Sequence, residues 1–103
     1  MIVRVFPARV HPERLEEWTQ LVKKLSVPLV KSGHGLVAYF PGNSIDPATG
    51  EYTMVTVWKD LESLKQWAGE KWREAIIPEQ ELPLIKEAWL HNYEVFGVDE
   101  SVR

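Results

Sequence analysis

Residues 51–68 read Glu-Tyr-Thr-Met-Val-Thr-Val-Trp-Lys-Asp-Leu-Glu-Ser-Leu-Lys-Gln-Trp-Ala. Glu51 to Lys59 is rich in Thr, Val and Tyr, side chains that suit a pleated, half-buried surface, and reads as a strand. Asp60 is well suited to cap a helix, because its carboxylate can accept from the free N–H groups of the first turn. Leu61, Leu64 and Ala68 then form an apolar stripe at helical spacing, with Trp67 beside it. The stretch is therefore a strand turning directly into an amphipathic helix.

The same unit opens the chain. Ile2 to Val10 is a strand in which Val3 and Val5 alternate with Arg4 and Phe6. A helix starts at Pro12, whose missing N–H costs nothing in a first turn. Val10 and Leu15 are spaced as a hydrophobic staple around His11. Leu15, Trp18, Leu21, Val22, Leu25 and Leu29 continue the stripe. Pro28 predicts a kink or an early end, and Gly33 a C-terminal cap. His34 to Phe40 reads as a second strand closed by Pro41-Gly42, with a polar loop over 43–50. After Gly69 regularity fades. Ile77-Pro78 marks an irregular passage, 79–86 a short helical turn, and Ala88 to Phe96 the last strand.

The order is β-α-β-β-α-β, which predicts an α+β, ferredoxin-like sandwich: a four-stranded antiparallel sheet with two helices on one face. Residues 1–97 form the single domain and 98–103 a short polar tail. Right-handed crossovers leave the other sheet face uncovered. Strands one and three, central in this order, are apolar in both phases: Val3, Val5, Val55 and Val57 in one, Phe6, Ala8, Met54 and Trp58 in the other. An apolar second face invites a partner, so a homodimer with sheets face to face is expected.

Length and composition bound what this fold can do. The chain has 103 residues, enough for one core but not for separate cofactor and substrate domains. Five of its 11 aromatic residues, by the counts of Trp, Tyr and Phe, are tryptophans. Twelve basic against 15 acidic residues, a formal charge of −3, argue against a nucleic-acid module. Cysteine is absent, which removes disulfides, thiolate metal sites and cysteine nucleophiles. Neither a signal peptide nor a membrane helix is visible, and a cytoplasmic location is expected.

Few residues are candidates for chemistry. His11, His34 and His91 fall on three elements, and Glu87 and His91 lie four apart on a strand, so no metal site is expected. The scattered glycines make no phosphate loop, and Ser26, Ser32, Ser44 and Ser63 sit in no nucleophile elbow. Trp67 and Trp72 flank the point where the second helix breaks, and Tyr39, His91 and Tyr93 lie on strands. These aromatics either wall a pocket for a flat organic ligand or pack as core and lid. His91 is a candidate base near neutral pH or a structural strand residue. Arg4 and Arg9 either orient an anionic or quinone-like ligand or pair with Glu94 across strands. Trp18 and Trp58 are assigned to core or interface, and Trp89 to an edge or interface.

The start IVRVFPARVHPERLEEW, the strand GHGLVAYF, the block TMVTVWKDLESLKQWAGEKWREAIIPE and the closing HNYEVF together resemble the antibiotic biosynthesis monooxygenase-like family of the dimeric α+β barrel superfamily. The resemblance covers roughly residues 1–97, and VWKDLESLKQW is its most family-like phrase. It implies a dimer whose sheets form a barrel and a ligand pocket between sheet and helices. Some members are cofactor-independent monooxygenases of quinol-type or polycyclic aromatics, in which the deprotonated substrate reacts with dioxygen directly. On that reading His91 and Trp67 are catalytic, Tyr39, Trp72 and Tyr93 bind substrate, and no cofactor is needed. Trp67 corresponds to a tryptophan that several members place on the second helix beside the substrate. Other members bind and degrade haem through a first-strand asparagine and a histidine near the end of the second helix. Here the first strand has Phe6-Pro7-Ala8, and residues 68–80 hold no histidine. The alternative reading is a non-catalytic homodimeric small-ligand-binding or stress-related module of the same fold.

Overall fold

A computed structural model describes residues 1–97; the expected polar tail, 98–103, lies outside the described residues. The elements run β1 (Ile2–Val10), a 3-10 turn (Pro12–Arg14), α1 (Leu15–Leu21), a π-helical turn (Val22–Ser26), α2 (Val27–Lys31), β2 (Leu36–Asn43), β3 (Glu51–Trp58), α3 (Leu61–Ala68), a 3-10 helix (Glu79–Leu84), β4 (Ile85–Ala88) and β5 (His91–Glu94). The sheet order is β2-β3-β1-β4, every pairing antiparallel, with β5 also on β1. This is the ferredoxin-like order, an open sheet with β1 and β3 at its centre.

The last strand is split. The expected strand over 88–96 starts earlier and is interrupted at Trp89 and Leu90. The two halves keep one register on β1: Ala8 faces Ala88, and Val5 faces His91. The gap falls opposite Phe6 and Pro7. Trp89 N–H donates to the Pro7 carbonyl at 2.9 Å, but Pro7 has no N–H to return, so the reciprocal ladder bond is missing.

Pro28 does not end the helix. α1, the π turn and α2 are continuous, and Val27 N–H reaches back five residues to the Val22 carbonyl. A proline interrupts the bond to the carbonyl four residues earlier and crowds it. The widened turn immediately before Pro28 absorbs that conflict. Gly33 is no left-handed cap, since among the described residues only Gly50 and Gly69 have positive φ. It is small because a β-carbon there would lie 2.4 Å from the Trp58 ring. β2 runs through Pro41-Gly42 to Asn43 instead of ending at Phe40, because an edge strand needs hydrogen bonds on one side only.

Period-two alternation separates the two sheet faces. Ile2, Ala8, Val10, Tyr52, Met54 and Trp58 are buried against Trp18, Val22 and Val30 of the first helical run and Leu64 of α3. Both helical units therefore cover one face. Trp18 and Trp58 are fully buried core residues. Asp60 accepts from the Ser63 N–H at 2.8 Å and caps α3 as its sequence implies. The opposite face carries Val3, Val5, Val55 and Val57, none of them buried, with exposed Phe40 and Tyr93 on flanking strands.

Candidate functional site

A cavity opens between the helix-covered sheet face, α2, α3 and the segment 69–78. Its wall is mainly apolar, from Phe6, Leu29, Val30, Met54, Trp67, Ile76, Ile77 and Leu90, with Arg4, Ser26, Tyr52, Thr56 and Glu81 as polar members. The empty space is about 500 Å³ including its mouth. The cavity thus has the general form of a small-molecule site, a mainly apolar wall with a few polar groups.

Trp67 is placed by α3 and locked by two contacts. Its indole N–H donates to the Leu29 carbonyl near the end of α2 at 2.9 Å. Its ring lies 5.0 Å from the Trp58 ring, tilted by 33°. With the N–H committed, Trp67 offers the cavity an aromatic wall and no donor.

Arg4 occupies the buried phase of β1, between Ile2 and Phe6. Its Nη1 donates to the Trp72 carbonyl at 2.6 Å and to Asn92 Oδ1 at 3.2 Å, and its Nη2 to the Glu74 carbonyl at 2.9 Å. The guanidinium thereby pins the segment that closes the cavity and stands 5.8 Å from the Trp67 ring centre. Burial lowers its pKa from 12.5 to about 10, leaving it charged at neutral pH. Among the described residues no carboxylate lies within 4.0 Å of it. The expected cross-strand pairing with Glu94 does not occur for Arg4, because register puts Glu94 opposite Ile2. Arg9 instead pairs with Glu87 at 3.2 Å.

Glu81 sits on the 3-10 helix and is 2% exposed. Ser26, the last residue of the π turn, donates to Glu81 Oε2 at 2.7 Å. Burial pushes the carboxyl pKa above its usual range, and the Ser26 bond works against that shift. Burial first, and the Glu81 charge second, push the Tyr52 phenol well up, so it remains a protonated donor.

Of the residues expected from the sequence, the structure brings Trp67 and Arg4 to the cavity wall. Tyr39 shares the covered face, opposite Thr56, but packs beside the main core cluster and outside the lining. The Trp72 ring carries Arg73 4.0 Å and Lys65 5.6 Å from its centre and lies outside the lining; its backbone carbonyl meets the site through Arg4. His91 and Tyr93 lie opposite Val5 and Val3, hence on the other face of the sheet. The grouping of His91 with Trp67 is corrected by this register. Glu81 and Ser26 carried no sequence signal as site residues. Arg4 did, as a charge within the phase Ile2, Phe6, Ala8. No group of three or more His, Asp or Glu among the described residues is arranged to hold a metal, and no described helix is long and apolar enough to cross a membrane.

Several solved structures share this architecture. A Nitrosomonas europaea protein named for antibiotic biosynthesis monooxygenase matches with a TM-score of 0.72 at 14% identity, over 94% of this chain and 100% of that one. A conserved protein of Methanosarcina mazei Go1 matches with 0.67 at 26% identity, over 90% and 91%. A mutant of MhuD, solved with two manganese protoporphyrin IX molecules bound per active site, matches with 0.70 at 19% identity, over 96% and 98%. No curated protein matches the sequence. The model of the antibiotic biosynthesis monooxygenase family matches residues 1–76, and the chain belongs to that family.

Proposed function

We propose that the protein is a homodimeric, cofactor-independent monooxygenase of a small aromatic, of quinol type, bound in the cavity between Trp67 and the sheet. The carrying observation is the join of one apolar aromatic wall with one buried guanidinium that has no acidic partner. In such a reaction the substrate is activated as its oxygen anion. The surroundings it needs are a dry cavity and a fixed positive charge, which act far more strongly there than in water. The proposed roles are a ring platform for Trp67, charge stabilisation for Arg4 and a protonated donor for Tyr52. Val3, Val5, Val55, Val57, Phe40 and Tyr93 supply the apolar surface through which two copies would pair, with His91 at that surface.

Haem fits this cavity poorly. The lining offers no histidine to ligate iron, since His11, His34 and His91 all lie elsewhere.

The reading is tested by oxygen uptake with a panel of quinols and hydroxylated polyaromatics. Uptake above background with at least one of them, reduced in Trp67→Phe, is the expected result. No uptake with any, together with saturable binding, would instead support the ligand-binding module.

A further inference from the structure

The cavity holds two charged groups that are not paired with each other. Arg4 uses three of the five N–H groups that a guanidinium carries, all on backbone or amide oxygens. The remaining donors have no protein partner among the described residues. Glu81 Oε2 is occupied by Ser26, while Oε1 accepts from no described residue. Yet Trp18 Nε1 is the one deeply buried side-chain polar atom left unsatisfied among them. The free atoms of Arg4 and Glu81 therefore retain some exposure, and both residues line the same cavity.

We propose that Arg4 and Glu81 form a subsite for an acidic hydroxyl, a phenol or enol, with Glu81 taking its proton and Arg4 holding the oxygen anion that remains. The inference rests on the aromatic-ligand reading above and deepens it. The ligand O–H bond breaks, its electron pair stays on oxygen, and the proton passes to Glu81 Oε1. No oxidant takes part in this step. A carboxylate whose basicity is increased by burial is better matched to a weakly acidic hydroxyl than one in water. Ser26 is a positioning residue: its bond to Oε2 leaves Oε1 as the accepting atom. The group that bears on the titration of Glu81 is Ser26 from the π turn, and the Glu81 charge in turn acts on Tyr52 of β3; Arg4 of β1 is the cation of the same cavity lining.

The test uses 4-nitrophenol, a single-ring phenol whose anion is coloured. At a pH below its own pKa in water, the bound dye should show the anion band. Binding to the intact protein should release no proton to the buffer, as read from the buffer dependence of the binding enthalpy. In Glu81→Gln the anion that still binds should release one proton each. In Arg4→Gln the anion band should be lost. Ser26→Ala retains both charges and serves if either variant misfolds. It loses a bond that favours ionised Glu81, so the carboxylate becomes the stronger base and the anion band of the bound dye should strengthen. A colourless bound dye, equal proton release by the intact protein and Glu81→Gln, or no binding to the intact protein would each overturn the proposal. Failure of oxygen uptake with these proton results intact would remove the oxygenase reading and leave the subsite standing.

Discussion

Arg4 Nη1 lies 2.6 Å from the carbonyl oxygen of Trp72, 68 positions along the chain, and this bond joins the centre of the sheet to the segment that closes the cavity. The second amino group reaches the Glu74 carbonyl. Ala75, Ile76 and Ile77 follow directly and form part of the cavity wall. A cation on the central strand is thus the fastener of an otherwise irregular stretch.

Replacing Arg4 by Met should keep the length of the side chain but leave the carbonyls of Trp72 and Glu74 and the amide oxygen of Asn92 without a donor. The expected loss is about 2–3 kcal/mol, from buried acceptors left unpaired. Chemical denaturation measures it. Hydrogen exchange should show faster exchange confined first to residues 69–78. Uniform acceleration over the whole sheet would contradict the fastening role.

Gly33 is required by its neighbour and not by its backbone angles. In Gly33→Ala the added carbon meets the Trp58 ring at 2.4 Å. That ring cannot retreat, being fully buried and tied through Nε1 to Thr56 Oγ1 at 2.8 Å. The expected cost is about 1–3 kcal/mol of overpacking. A midpoint of urea unfolding unchanged from that of the parent would refute it.

Glu81 makes a signed contribution to the pH dependence of stability. Its folded pKa is raised above the usual carboxylate value of 4.5. The folded state therefore binds more protons than the unfolded state as pH rises through and just above that value, and stability falls across the same window. In Glu81→Gln this fall should be absent. Stability measured across that window should show the variant gaining on the parent as pH rises. Parallel pH profiles for the two would argue against the shift.

The paired Phe40→Glu and Tyr93→Glu substitutions place charges on the uncovered sheet face, where both rings are more than half exposed. If that face joins two copies, self-association should weaken about tenfold or more. The far-ultraviolet circular dichroism should be retained. Sedimentation equilibrium reads the outcome, and an unchanged association constant would place the interface elsewhere.

Local signals carried most of the fold. Asp60, Leu61 and Leu64 needed nothing beyond their own spacing to mark the start and inner face of α3, and the sheet's two phases were visible in Val3, Val5 and Phe6, Ala8. Pro28 was legible as a disturbance but not in its consequence, and Pro7 was not read as one. One is absorbed by a π turn and the other interrupts a different strand, because each effect depends on the hydrogen-bond partner that the proline fails to serve.

The site followed a different rule. Trp67 was legible because a helix break beside an apolar stripe is a local feature. His91 was misplaced because strand phase has no meaning until its partner is known: opposite Val5 it faces away from the helices. Ser26 and Glu81 meet across 55 positions and belong to no shared pattern.

By itself the sequence determined the α+β order, the central strands and the apolar second face, since each arises from periodicity or capping within a few residues. Only the tertiary structure decided which charges share the cavity, which face His91 occupies and why Gly33 is small. These are contacts between distant segments, set by register and by the volume left between packed side chains.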